Sequence, residues 1–134
     1  MHVLILGCGN LVRHVAAAMS DQGHQVVVVD EHGRCPYQQN PNVPGNVISG
    51  GDNLMENMRR GGVERADMVI GLSFDDNLNA MAAQIASNIF NVPRTLCHVG
   101  EVAKAQVYRE LGLNVLSFTH ALADTVIAGA KDPS

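Results

Sequence analysis

The chain is poor in the features that would give it a covalent or metallic skeleton. Its 134 residues include three cysteines, Cys8, Cys35 and Cys97, which form no regular framework, so free thiols are expected. The six histidines show no His-x-x-x-His, and no Cys-x-x-Cys occurs, so a metal centre is not expected. There is no dense run of Lys or Arg, and the net charge is -4. Nucleic acid and an anionic membrane surface are therefore excluded as main partners. The longest apolar runs are strand-sized, far short of a membrane-spanning helix. Met1-His2 leads directly into an apolar run, so no signal peptide is expected. No Tyr-x-x-x-Lys pair stands ready for proton transfer.

What is present begins at Val3. Val3-Leu4-Ile5-Leu6 reads as a strand covered on both faces. Gly7-Cys8-Gly9 reads as a tight turn, residues 11–22 as a helix stopped by Gly23, and Gln25-Val26-Val27-Val28-Val29-Asp30 as a second buried strand ending in an acid. This is the first half of a dinucleotide-binding unit. Gly7 permits the turn, and Gly9 lacks the Cβ that would hold a pyrophosphate off the backbone. The helix start turns free N–H groups toward that phosphate, and Asp30 can accept from ribose hydroxyls. The fingerprint's third glycine is Val12 here. Val12 must push the helix outward or fill a gap beside a small neighbour such as Ala16. Leu11, Val15, Ala18 and Met19 are expected on the buried face, with Arg13 and His14 on the other.

Beyond Asp30, residues 33–45 hold Pro36, Pro41 and Pro44, which rule out a regular helix over most of that span and predict a loop. Strands are expected at 46–49, 66–72, 94–99 and 114–118. Helices are expected at about 54–60, 76–91 and 101–111, with a last one from Thr119 or His120 to about Ala128. Asp52 or Asn53 caps the first of these. Leu78, Met81, Ala82, Ile85 and Ile89 mark the buried stripe of the second. Such alternation predicts an α/β fold: a Rossmann-like, doubly wound parallel sheet of six strands in the order 3-2-1-4-5-6. Residues 1–129 are expected to form one domain and 130–134 a frayed tail. The reversal of strand order brings Gly7, Gly9, Asp30, Asp52 and Ser73 to one edge.

The chain resembles the KTN or RCK nucleotide-binding domains, of TrkA N-terminal type, found in bacterial potassium-uptake regulators and potassium-channel gating rings. The resemblance rests on Gly7-Cys8-Gly9, Gly23-His24, Asp30, Gly51-Asp52 and Val63-Glu64-Arg65-Ala66-Asp67. Asp75-Asp76 with Asn79, Val92-Pro93-Arg94 and Tyr108-Arg109-Glu110-Leu111-Gly112 continue it. It implies a non-catalytic regulatory domain that binds NAD(H), AMP, ADP or ATP and controls a membrane potassium transporter or channel. It also implies a homodimer or larger ring, cytoplasmic and held at the inner membrane through that partner. Asn10 and His98 stand where arginines are common, which weakens the case for a triphosphate.

Candidate nucleotide contacts are Gly7, Gly9, Asn10 and Leu11 at the first turn, and Asp30 with Glu31 at the second strand's end. Asp52, Asn53 and Leu54 follow at the third, then Ser73 and His98. Capping alone accounts equally for Asp52 and Asn53, and a turn role for Ser73. Asp75 and Asp76 read as cap and dipole residues, with Asn79 bracing the loop before them. The last helix, with Leu122, Val126 and Ile127, is apolar enough to suggest a dimer contact. The rival functional readings are an NAD-dependent oxidoreductase fragment and a degenerate Rossmann domain that acts only in dimerisation.

Overall fold

The computed structural model describes residues 1–31, 46–49 and 53–131. The proline-rich 33–45 segment, Asp52 and residues 132–134 lie outside the described residues.

Six parallel strands form one sheet in the order β3-β2-β1-β4-β5-β6, as the alternation predicts. The strands are β1 (His2–Leu6), β2 (Gln25–Asp30), β3 (Asn46–Ser49), β4 (Met68–Gly71), β5 (Arg94–His98) and β6 (Val115–Leu116). Between them run α1 (Asn10–Asp21), α2 (Leu54–Arg60), α3 (Asp76–Asn88), α4 (Val102–Glu110) and α5 (Phe118–Lys131), with a 3-10 turn at Val63–Arg65. Leu6 pairs with Val29 on one side and Gly71 on the other, so β1 and β4 end level and β2 runs one residue further, to Asp30.

Side chains alternate across each strand, and both sets are buried. Leu4, Leu6, Val29 and Val69 pack with Leu54 and Met58 of α2 and Ala82 and Ala86 of α3. Val3, Ile5, Val26, Val28 and Ile70 pack on the opposite face with Val12 and Ala16 of α1. Val12 thus sits beside Ala16 in the core, only 2% exposed. The buried face of α1 is Val12, Ala16 and the half-buried Val15 and Met19. It is turned by one residue from the stripe read in the sequence, and Leu11 and Ala18 are exposed.

α3 also departs from its expected stripe. It buries Asn79, Ala80, Ala82, Ala83 and Ala86, while Met81 and Ile89 are half exposed at 49% and 51%. The cause is close approach at one point: a Cβ on Gly71 would lie 3.0 Å from the Asn79 Cα, so alanines fill the narrow gap, while Leu78 and Ile85 of the expected stripe pack half-buried against the core beside it.

α5 begins at Phe118, and β6 is correspondingly short. Ser117 explains the boundary, because its Oγ accepts from the His120 N–H at 3.4 Å and its carbonyl from Ala121 N–H at 3.0 Å. No helix among the described residues is long and apolar enough to cross a membrane.

Candidate nucleotide site

At the carboxyl edge, where β1 and β4 diverge, a cleft of about 660 Å³ opens. Leu6, Gly7, Cys8 and Gly9 line it from β1, Asp30 and Glu31 from β2, and Ser73, Phe74, Asp75 and Leu78 from the β4–α3 connection. This is the switch point of a doubly wound sheet.

The turn is built as its glycines require. Gly7 has φ +134°, and a Cβ there would lie 2.9 Å from the Leu72 carbonyl carbon and the Ser73 nitrogen. Its N–H donates to the Val29 carbonyl at 2.9 Å, tying the turn to β2. Gly9, with φ +130°, is the N-cap of α1; no side chain caps that helix and no acid lies in its first turn. The positive end of α1 thus carries no helix carboxylate of its own to offset its dipole.

Across the turn, Asp30 is 4% exposed at the end of β2. Glu31 beside it accepts from Asn57 Nδ2 at 2.9 Å. Asn57, fully buried in α2, also accepts from Arg60 Nη1 at 3.3 Å, so the second helix braces the acid rim.

The β4 side is organised by Asn79, which is 0% exposed. Its Oδ1 accepts from the Ser73 N–H at 2.9 Å and Oγ at 2.6 Å, and its Nδ2 donates to the carbonyls of Ser73 and His98 at 2.9 and 3.0 Å. Asp75 caps α3 through the Leu78 N–H at 3.1 Å, and Asp76 Oδ2 accepts from the Glu101 N–H at 3.2 Å. Both acids thus have the structural employment expected of them.

Of the sequence-derived candidates, Gly7, Gly9, Asp30, Glu31 and Ser73 come together in the cleft. Asn10 and Leu11 open α1 at its mouth, both exposed. Asn53 is the exposed N-cap of α2 and accepts from the Glu56 N–H at 2.8 Å. Leu54 is 6% exposed in the core, away from the cleft lining. His98 does not join the cleft either. Its Nδ1–H donates to the Leu116 carbonyl at 3.2 Å, and its ring stacks on Phe118 at 3.5 Å between centroids. The sequence reading missed Phe74, whose place in a turn gave no signal.

Cys8 is half-buried in the turn and disulfide-bonded, so the expectation of free thiols stands, among the described cysteines, for Cys97 alone. Burial, and secondarily the Asp76 carboxylate, push the Cys97 thiol up from 9.0 to about 11. Among the described residues no cluster of three or more His, Cys, Asp or Glu is placed to hold a metal.

Residues 3–129 match the TrkA-N domain family. The chain belongs to that family. As a TrkA-N domain it is 28% identical, over 127 residues, to the Trk system potassium uptake protein TrkA of Streptomyces coelicolor. That alignment covers 95% of this chain and 57% of the relative, so the chain spans little more than half of the relative's length. Among solved structures, the AMP-bound Kef carboxyl-terminal domain of Shewanella denitrificans superposes with a TM-score of 0.77 at 17% identity, over 99% of this chain and 84% of that one. The GsuK channel bound to NAD superposes with 0.73 at 20% identity, over 90% of this chain and 22% of that one. These structural likenesses show the shared fold.

Proposed function

We propose that this TrkA-N domain binds an adenine nucleotide in the carboxyl-edge cleft and, through that binding, regulates potassium transport by a membrane partner. The observation that carries the reading is one juxtaposition. The Gly7–Gly9 turn and the glycine-capped start of α1 border the cleft, and the Asp30 carboxylate stands at the end of β2 on its other side. The first seats a phosphate, and the second accepts from ribose hydroxyls while repelling a 2′-phosphate. The AMP-bound Kef domain and the NAD-bound GsuK channel carry such ligands on the same fold.

The domain acts as a sensor rather than an enzyme. Among the described cleft residues there is no histidine, lysine or tyrosine to move a proton beside a nicotinamide. A ligand spanning the cleft touches both the β1–β2 half and the Ser73–Asp75 connection. It shifts the domain only by binding one relative position of these halves more tightly than another. The described lining contains three carboxylates and no Lys or Arg, which favours ligands of low phosphate charge over ATP.

In the assembly, α5 supplies the contact between copies. None of its residues is buried, and Leu122, Val126 and Ile127 are 66%, 62% and 52% exposed.

Isothermal titration of the domain with AMP, ADP, ATP, NAD and NADH tests the reading. Saturable binding of at least one, weakened in Asp30→Ala, is expected; silence with all five overturns it.

A further inference from the structure

At the amino edge of the sheet, opposite the cleft, lies a second hollow of about 380 Å³. It exists because α2 is short. Gly61 ends that helix hard against the sheet, where a Cβ would lie 3.0 Å from Val29 Cγ2 and 3.1 Å from Leu4 Cδ1. The chain leaves through Gly62, with φ +88°, into the 3-10 turn that carries Arg65. These two glycines bring no side chain to fill the space beside them. Side chains of β1 and β2 alternate between faces, so His2, Leu4, Gln25 and Val27 share the α2 face with Leu6 and Val29. Leu54 and Met58 of α2 pack with Leu6 and Val29, and the helix stops short of the strands' beginnings. Val27, inside an interior strand, is therefore only half-buried, and His2 and Gln25, paired in register, are exposed at the rim.

The rim offers donors, and no Asp or Glu is among its described lining residues. Arg65 holds its guanidinium near Gly62, with Nη2 4.0 Å from where a Cβ would stand. Its side chain makes no ion pair or hydrogen bond among the described residues. The Gln25 amide and the Ser20 hydroxyl, which also line the hollow, are uncommitted in the same way. His24 turns Nδ1 to the Met1 nitrogen at 3.1 Å. The nearby Asp67 already accepts from the His2 N–H through Oδ2 at 2.8 Å. The carbonyl ends of α1 and α2 reach this edge, but Met19 and Ser20 accept from His24 and Gly23, and Asn57 and Arg59 from Gly61 and Gly62. A planar cationic fork with its hydrogen bonds unmade, beside an apolar floor, matches an oxyanion carried on a short carbon body. We propose that this hollow is a second ligand site, for a small organic anion whose carboxylate or phosphate meets Arg65 and whose apolar body lies on Leu4 and Val27. It uses no residue of the nucleotide cleft and stands independently of that reading.

The test is a titration of the domain with sodium butyrate, sodium phosphate and the neutral butyramide, followed by its backbone amide resonances at an ionic strength held constant with chloride. Butyrate, phosphate or both are expected to shift Gln25, Gly61, Gly62 and Arg65 saturably, with a Kd of about 1 mM, and butyramide is expected to leave them in place. The anion that binds tells whether the ligand's head is a carboxylate or a phosphate. Arg65→Gln is expected to weaken binding about tenfold, and Arg65→Lys to keep part of it. Arg65 is exposed, so both variants are expected to fold, and melting curves check it. Should Arg65→Gln prove unfolded, the contrast between butyrate and butyramide still decides. No shift at these residues with either anion overturns the proposal. Equal shifts with butyramide overturn it, as does an affinity unchanged in a folded Arg65→Gln. Shifts confined to Gly7, Gly9 and Asn10 overturn it too, because they belong to the nucleotide cleft.

Discussion

Asn79 holds Ser73 by three hydrogen bonds, its Oδ1 accepting from the Ser73 N–H and Oγ and its Nδ2 donating to the Ser73 carbonyl. A fourth, from Nδ2 to the His98 carbonyl, joins β5 to the same knot. One buried amide thereby fixes the rim of the cleft to the start of α3. Asn79→Ala is expected to cost about 3 kcal/mol, because it strands an N–H and two carbonyls in the interior. Asn79→Asp keeps the shape but aims an acceptor at two carbonyls, and is expected to cost at least as much. Urea unfolding of the two variants checks both.

The two turn glycines are expected to respond differently to the same methyl group. At Gly7 the new Cβ meets backbone at 2.9 Å as well as an unfavourable φ, so Gly7→Ala is expected to cost about 3 kcal/mol or more. At Gly9 the nearest atoms are the Phe74 ring tip at 3.7 Å, so Gly9→Ala carries the backbone strain alone, about 1–2 kcal/mol. The Gly9 carbon lies at the proposed phosphate seat, so Gly9→Ala is expected to weaken nucleotide affinity directly, whereas the Gly7 carbon is driven into the Leu72–Ser73 backbone. Melting temperatures and titrations of the pair separate the stability effect from the binding effect.

Cys97 predicts an alkaline limit to stability. Its folded pKa is raised to about 11 from 9.0, so the unfolded chain gives up this proton first. The contribution is complete below pH 9 and is lost as pH rises toward 11. Unfolding free energy is expected to fall across that window, and the fall is expected to be shallower in Cys97→Ala. Equal slopes for the two proteins would remove Cys97 as the cause.

The face of α5 predicts association. Leu122 and Val126 lie one turn apart and are both largely exposed. The double substitution Leu122→Asp with Val126→Asp is expected to leave the melting temperature of the domain fold nearly unchanged while shifting its mass in sedimentation from dimer to monomer. An unaltered mass would place the contact elsewhere.

Much of the architecture was legible from short-range pattern. Alternating apolar strands and helices pointed to a doubly wound sheet, whose usual order is the one found, and the Gly7–Gly9 turn with Asp30 pointed to the cleft. What escaped was decided by distant packing. The sequence shows large residues on α3, but Gly71 brings the helix so close to β4 that the alanines go inward. His98 sits at a strand end facing the site in projection, yet Leu116 and Phe118, from the next strand and helix, claim its ring. Ser117 decides where α5 starts through a cap that the apolar pattern does not mark. Phe74 was unreadable because a turn residue's identity says nothing of the cleft that the turn borders.

Seating of the ligand's phosphate at the start of α1 is open to direct measurement. Backbone amide resonances followed by NMR while AMP or NAD is added test this most directly. The largest shifts are predicted at Gly7, Gly9, Asn10, Leu11 and Val12, with Asp30 and Ser73 moving alongside. Shifts confined to the opposite edge of the sheet, around His2, His24 and Arg65, or none at saturating nucleotide, would contradict it.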